Sequence, residues 1–294
     1  MLIRAISLVI FAARKREKQS KKMSKKIVTV INQKGGVGKS TTSASLACNI
    51  VRLLPAAYVQ LIDGDPQGDL ATLLKVQFKE EPVTTNDVLL RSYGPVWPSY
   101  GIGAQGRLSF TPSSFDLDNI ESEIRKSGDN IFDCVRRKLS GVMTEYVIID
   151  CSPSFRDLNK AFIAASDYVI IPTLSEPLSL PSVQRTALLV KMMADAAEKY
   201  GSDHSHPVPR VLGILICRDE RYDVNREAQE VLRETYGDLV FDTTIKKTVL
   251  MQEDTLRGML KDPLVRNTAA ANYLDFTREV IERIKTIKQE NHGK

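Results

Sequence analysis

The segment Lys34-Gly35-Gly36-Val37-Gly38-Lys39-Ser40-Thr41 has the residue types needed to hold a polyphosphate. Glycines let a backbone turn its N–H groups onto phosphate oxygens, and a helix that starts just after them adds partial positive charge. The general phosphate loop reads G-x-x-x-x-G-K-S/T between a strand and a helix, and Gly38-Lys39-Ser40 supplies its second half. In that arrangement Lys39 reaches the β- and γ-phosphates, and the Ser40 hydroxyl ligates Mg2+. Gln33 stands where the general pattern has its first glycine, and an extra lysine, Lys34, precedes two adjacent glycines. A chance glycine-rich turn would not place strand, lysine, hydroxyl and helix in register. Three aspartates complete the set: Asp63 and Asp65 in Asp63-Gly64-Asp65-Pro66, and Asp150 after Val147-Ile148-Ile149. A carboxylate near a γ-phosphate can orient water and accept its proton, and carboxylates can also hold magnesium.

These side chains need elements to place them. The β-branched run Ile27–Ile31 predicts a buried strand, and Lys39 to about Leu53 predicts a helix. Further strands are expected at Tyr58–Ile62, Tyr146–Ile149, Tyr168–Ile171 and Val211–Ile216, with helical patterns near Asp116–Leu139, Ser182–Lys199, Asn225–Tyr236 and Ala269–Lys288. Buried strands alternating with helices predict an α/β fold, a mostly parallel doubly wound sheet flanked by helices, as in P-loop NTPases. Ligands in such folds sit at the carboxyl ends of strands, where all three aspartates fall. Gly94–Gly106 reads as a loop or divergent insertion, and a single domain spans residues 26–290.

Composition narrows the alternatives. The chain has 294 residues, is 43% hydrophobic, and carries a formal net charge of +5, which permits a polyanionic partner without requiring one. Cys48, Cys134, Cys151 and Cys217 form no CxxC pair, and only three histidines are present. Zinc and iron–sulfur chemistry is therefore not expected, and reduced, mostly buried thiols are. The apolar run Leu2–Ala13 is too short to span a bilayer and is followed, not preceded, by the basic Arg14-Lys15-Arg16. A surface anchor, a disordered tail and an over-extended start all fit residues 1–25. The last is the expectation adopted, because Met23 leads directly into the first strand.

The run Asn32 to Thr42 resembles the deviant Walker A motif of the ParA/MinD class of ATPases. Asp63-Gly64-Asp65-Pro66-Gln67-Gly68 is similar to that class's D-x-D-P-Q-G element, and Val147 to Ser154 to its Walker B stretch. Ile171-Pro172 followed by Glu176 resembles the strand end near the base. The DPQG form, Ser114-Phe115-Asp116-Leu117 and Leu212-Gly213-Ile214-Leu215 favour the ParA/Soj branch, with resemblance from about Lys26 to Ile287.

The resemblance implies ATP as the nucleotide, with Mg2+, and two protomers facing each other across it. Lys34 would reach the partner's phosphates, Asp65 would position the attacking water, Asp150 would hold Mg2+ through water, and Asp63 would lie in the metal's outer shell. Pro172 and the loop after Cys217 would lie by the adenine, and Cys151 would serve packing. The ParA branch implies non-specific, ATP-dependent DNA binding, for which Arg218, Arg221, Arg226, Lys246, Lys247, Arg257 and Lys261 are candidates. A Pro-Arg pair typical of the family is replaced here by Lys246-Lys247, which keeps charge but alters the pattern.

A partition ATPase of cytoplasmic, nucleoid-associated location is thus implied, positioning a plasmid, chromosome or other cargo, with a ParB-like adaptor triggering hydrolysis. A MinD-like membrane-cycling regulator is the main rival. The final helical stretch has Tyr273, Phe276, Val280, Ile281, Ile284 and Ile287 on one face, but its acidic residues suit an anionic bilayer poorly, so packing on its own sheet is expected. An electron-donating iron protein lacks its cysteine pair here, and a cobalamin-pathway amidase would need an appended domain.

Overall fold

Each β-branched run becomes a strand because its alternate side chains find apolar layers on both sides. The computed structural model describes residues 25–90, 97, 100–102, 106–200, 207–219, 223–247 and 268–292. In chain order the elements are β1 (Lys26–Val30), α1 (Lys39–Leu53), β2 (Val59–Gly64), α2 (Asp69–Leu73), α3 (Thr85–Leu90), β3 (Tyr100–Ile102), β4 (Leu108–Thr111), α4 (Ile120–Lys126), α5 (Ile131–Ser140), β5 (Tyr146–Cys151) and α6 (Asp157–Ala164). There follow β6 (Tyr168–Leu174), α7 (Leu180–Tyr200), β7 (Arg210–Asp219), α8 (Asp223–Tyr236), β8 (Ile245–Lys246) and α9 (Thr268–His292).

Eight strands among the described residues form one sheet in the order β3-β4-β2-β5-β1-β6-β7-β8. Only the β3–β4 pair is antiparallel. Along β5, Val147, Ile149 and Cys151 join the layer containing Val135 of α5, Phe162 of α6 and Val183 of α7. Tyr146 and Ile148 join the opposite layer with Leu46 and Ile50 of α1 and Phe276 and Val280 of α9. Fully burying each such aliphatic or aromatic side chain is worth roughly 1.5–3 kcal/mol, so both faces drive closure. The predicted apolar face of the last helix is thereby used: Tyr273, Phe276, Val280 and Ile284 pack on the sheet and on α1.

The structure departs from the sequence reading in three places. The pattern over Asp116–Leu139 is not one helix but a 3-10 turn, Phe115–Asn119, then α4 and α5; Asn130 starts α5 by accepting a bond from the Phe132 N–H at 2.8 Å. Within the expected loop Gly94–Gly106, Tyr100–Ile102 forms an edge strand, and the Tyr100 hydroxyl accepts the Val83 N–H at 2.7 Å. β4 and β8 were not anticipated either. Four and two residues long, they carry no legible period and exist as strands because β2 and β7 offer them a partner. The expectations for Met1–Ser24 lie outside the described residues. No helix among the described residues is long and apolar enough to cross a membrane.

Candidate functional site

The loop between β1 and α1 is shaped by two glycines in the left-handed region, Gly36 at φ 71° and Gly38 at φ 89°, where a side chain would be strained. Gly38 is also the residue from which α1 starts, so the helix N-terminus with its partial positive charge opens directly off the loop. Asn32, fully buried at the end of β1, supports the loop from beneath. Its Oδ1 accepts the Lys34 N–H at 3.0 Å, and its Nδ2 donates to the Pro172 carbonyl at 2.8 Å, tying the loop to β6. Gly35 and Gly36 are exposed, whereas Val37 is buried as the loop's anchor.

Lys39, in the first turn of α1, is buried, and burial lowers its pKa, with the charges of Asp150 and Asp65 acting in the opposite sense. Its ammonium reaches the Lys34 carbonyl at 3.4 Å. A nearly enclosed cation held so loosely calls for an anion.

The carboxylates meet it across the ends of β2 and β5, where Asp63 and Asp150 are register partners. Asp150 accepts the Ser43 hydroxyl at 2.9 Å and is bonded by Ser40; burial nonetheless pushes its pKa up to about 7. Asp63 is fully buried, and desolvation together with the Asp150 charge holds its pKa well above the usual carboxylate range. Its Oδ1 accepts the Asp65 N–H at 3.1 Å. The second oxygens, Asp63 Oδ2 and Asp150 Oδ2, are buried without a partner. Such oxygens cost about 1–3 kcal/mol each unless something satisfies them. Asp65, one residue past β2, has its Oδ1 fixed by the Gln67 N–H at 3.1 Å.

These oxygens fit a hydrated magnesium. Among the described residues no group of three or more His, Cys, Asp and Glu could hold a metal alone. Mg2+ takes one or two carboxylates and keeps waters and substrate phosphates as its other ligands. Ser40, half-buried and bonded to Asp150, supplies the hydroxyl.

Lys34 is not directed at its own loop. Its ammonium lies 2.9 Å from Glu176 Oε2 and 2.8 Å from Ser179 Oγ, just past β6. Glu176, placed by resemblance on the base-side strand end, also meets Lys34. The pair is partly exposed, so its contribution is about 0–1 kcal/mol and the lysine is readily released. Pro172 sits in β6 with its carbonyl on Asn32.

Of the basic candidates, Arg218 is exposed at the end of β7 with φ 54°, an unusual value for a residue other than glycine. Lys246 and Lys247 are exposed at the β8 edge, next to β7. Arg221, Arg257 and Lys261 lie outside the described residues. Cys151 is fully buried with its pKa well raised by desolvation, which leaves it a packing residue.

Sequence reasoning missed Ser43 and Asn159 as site residues, and marked Glu176 only by its place after Ile171-Pro172 and not as a partner of Lys34. Asn159 of α6 donates to the Ser152 and Ser154 carbonyls at 3.1 and 2.7 Å, and so shapes the turn after Asp150. Ser43 lies one helical turn after Ser40, and that spacing was the one available signal. Nothing local marks Asn159.

Residues 25–200 match the family model described as AAA domain, AAA_31. The chain is 32% identical over 266 residues to an uncharacterised protein of Mycobacterium tuberculosis (strain CDC 1551 / Oshkosh), covering 88% of this chain and 79% of that one. It is 29% identical to the chromosome partitioning protein ParA of Caulobacter vibrioides (strain NA1000 / CB15N), over 88% of this chain and 94% of the other. Its fold is similar to that of Cyanothece McdA, solved as an aspartate-to-alanine variant in complex with ATP: the TM-score is 0.74 at 22% identity, with 88% and 96% of the two chains covered.

Proposed function

The chain belongs to the AAA_31 family as a ParA-type ATPase, and on that footing we propose that it is a magnesium-dependent partition ATPase that dimerises on ATP and then holds DNA non-specifically. Hydrolysis, prompted by a ParB-like adaptor, would release the DNA and reset the cycle, positioning a plasmid, chromosome or other cargo at the nucleoid. The observation that carries the ATPase half is the pair of orphaned carboxylate oxygens beside a buried lysine at a left-handed glycine loop. The partition half is supported by similarity to the Caulobacter ParA along most of both chains. Burial of Tyr273, Phe276, Val280 and Ile284 weighs against a membrane-seeking last helix.

In the proposed mechanism, Lys39 and the loop N–H groups hold the β- and γ-phosphates, while Ser40, Asp150 and Asp63 face the magnesium. The metal, when bound, neutralises charge developing on the phosphate oxygens. Asp65 orients the attacking water and accepts its proton. Lys34 leaves Glu176 and Ser179 and adds positive charge to the nucleotide of the facing protomer, the part an arginine finger plays in other phosphoryl-transfer enzymes.

Two measurements check this. Because Lys34 is held by Glu176 and Ser179 rather than by the loop, Lys34→Ala should keep ADP affinity within about threefold while losing the dimer formed with a non-hydrolysable ATP analogue; the threefold allowance corresponds to about the size of an exposed ion pair. Analytical ultracentrifugation reads the dimer, and a normal dimer with normal turnover would refute the role in trans.

The second is DNA binding with ATP, with ADP and with neither, across a salt series. Phosphate contacts release counterions, so affinity should fall steeply with salt and barely depend on sequence. Pairing two weak basic faces on a dimer makes the ATP state bind best. Replacing Lys246 and Lys247 together with glutamate should weaken binding to any DNA and flatten the log–log salt slope by about 2 per protomer, taking roughly 0.9 per lost phosphate contact. Equal or absent binding in all three nucleotide states would sink the partition reading.

A further inference from the structure

The phosphate loop and the basic edge of the sheet are joined by one helix. On its inner face α9 presents Tyr273, buried against the start of α1, with its hydroxyl 3.3 Å from Thr42 Oγ1. Thr42 Oγ1 is also 4.0 Å from Cys217 Sγ, near the end of β7. A Cβ built on Gly38 would lie 3.7 Å from Cys217 Sγ and 3.9 Å from the Tyr273 hydroxyl. That leaves room for no more than a methyl at Gly38, whose carbonyl accepts the Thr42 N–H at 2.9 Å, so the loop reaches β7 and α9 through Thr42. Packed interiors transmit small displacements, so an adjustment of the loop around phosphate is felt at Tyr273.

The neighbouring positions of the same helix carry the basic edge. Asn272 Oδ1 accepts the Lys246 N–H at 3.4 Å. Glu279 accepts the Asp242 and Thr243 N–H groups at 2.9 and 3.1 Å. Arg283 donates to the Asp238 and Val240 carbonyls at 2.8 and 3.1 Å. β8 contributes only two residues to the ladder, with a register irregularity against β7. β7 also accepts the Phe241 and Lys247 N–H groups, and α9 anchors the residues between them from the other side.

We propose that α9 couples nucleotide occupancy to the basic edge, with the Tyr273–Thr42 hydroxyl contact as the point where the phosphate loop acts on the helix and Asn272 and Glu279 as the points where the helix carries residues 242–246. Tyr273 is a positioning residue: it touches neither nucleotide nor DNA. The proposal rests on the reading of the loop as a nucleotide site and extends it by naming the path to the Lys246-Lys247 edge.

The test is amide hydrogen exchange on the full chain with and without Mg2+ and a non-hydrolysable ATP analogue, alongside analogue affinity. In wild type the amides of Asp242, Thr243 and Lys246 should exchange at least about fivefold more slowly with the analogue, the factor expected of about 1 kcal/mol of added local stability. Tyr273→Phe keeps the ring that packs on Phe276 and removes only the hydroxyl. It should bind the analogue within about threefold of wild type yet lose that slowing, an effect below 1 kcal/mol on binding. Thr42→Val, which removes the opposite hydroxyl, should lose the slowing too, and the double variant should add nothing further.

Unchanged exchange in wild type, or full slowing retained in Tyr273→Phe, would overturn the proposal. So would a tenfold or larger loss of analogue affinity in Tyr273→Phe, which would make the tyrosine scaffold for the loop alone. Nucleotide-dependent slowing in a protein that never binds DNA would leave the coupling intact and remove the partition reading.

Discussion

Asp65→Ala should lower ATP turnover by about 100-fold or more while ATP remains bound, because general-base and water-positioning groups contribute about 10²–10⁴ to such reactions. The carboxylate is placed for this at the end of β2, with its Oδ1 held by the Gln67 N–H and its own N–H on Asp63. Its side chain accepts from the Gln67 N–H and not from the glycine loop or Ser40, so its removal leaves the phosphate contacts in place. The ATP-bound dimer should accumulate, and with it the DNA-bound state. Single-turnover hydrolysis together with filter-retained ATP reads both quantities. Turnover at the wild-type rate would remove Asp65 from the mechanism. Lys39→Ala gives the contrasting result, a loss of nucleotide binding itself, because the buried cation is the loop's own charge.

The second large effect is expected at Asp150, where function and stability pull in opposite directions. Burial first of all pushes its pKa up to about 7 in the folded chain, well above that of an ordinary carboxyl. A carboxyl raised in the folded state favours folding most below the unfolded pKa, and that advantage is lost as pH rises through about 4 to 7. At roughly 1.4 kcal/mol per tenfold change in proton affinity, the rise from about 4 to about 7 places an upper bound near 4 kcal/mol on the resulting penalty at pH 8. Asp150→Asn removes the charge and keeps an oxygen to accept from Ser43, although its amide N–H groups add a cost of about 1–3 kcal/mol if unpaired. The nucleotide-free variant should therefore melt a few degrees above wild type at pH 8, and the difference should shrink as pH falls toward 4. Added Mg2+ and ATP should raise the melting temperature of wild type and not of the variant, since a ligand at about 100 times its Kd adds about 2.7 kcal/mol. A variant less stable than wild type at every pH, or one stabilised equally by Mg2+ and ATP, would contradict the assignment.

The glycine loop was legible in the sequence because its shape is local. Gly36, Gly38, Lys39 and Ser40 act through backbone conformation and a helix start, which depend on residues a few positions apart. The five long strands were legible for a similar reason. Each is buried on both faces, so its run of valine and isoleucine stands out against the helices. Asp63 and Asp150 could be marked because each ends such a run.

Tertiary structure alone decided which distant residues complete these parts. Ser43 meets Asp150 across 107 positions, Lys34 meets Glu176 across 142, and Tyr273 meets Thr42 across 231. Those meetings follow from the strand order, which puts β1 between β5 and β6 and lays α9 over α1. Strand order is set by how whole faces are buried, and no window of sequence contains that information. The short strands β3, β4 and β8 belong to the same class, since a two- to four-residue segment becomes a strand only when a neighbour supplies its hydrogen bonds. The sequence by itself therefore determined the local shape of the glycine loop and the class of fold. The partners of Lys34, the buried bond of Asp150 and the link from Thr42 to the basic edge were decided only on folding, because each is a contact between surfaces that the sheet brings together.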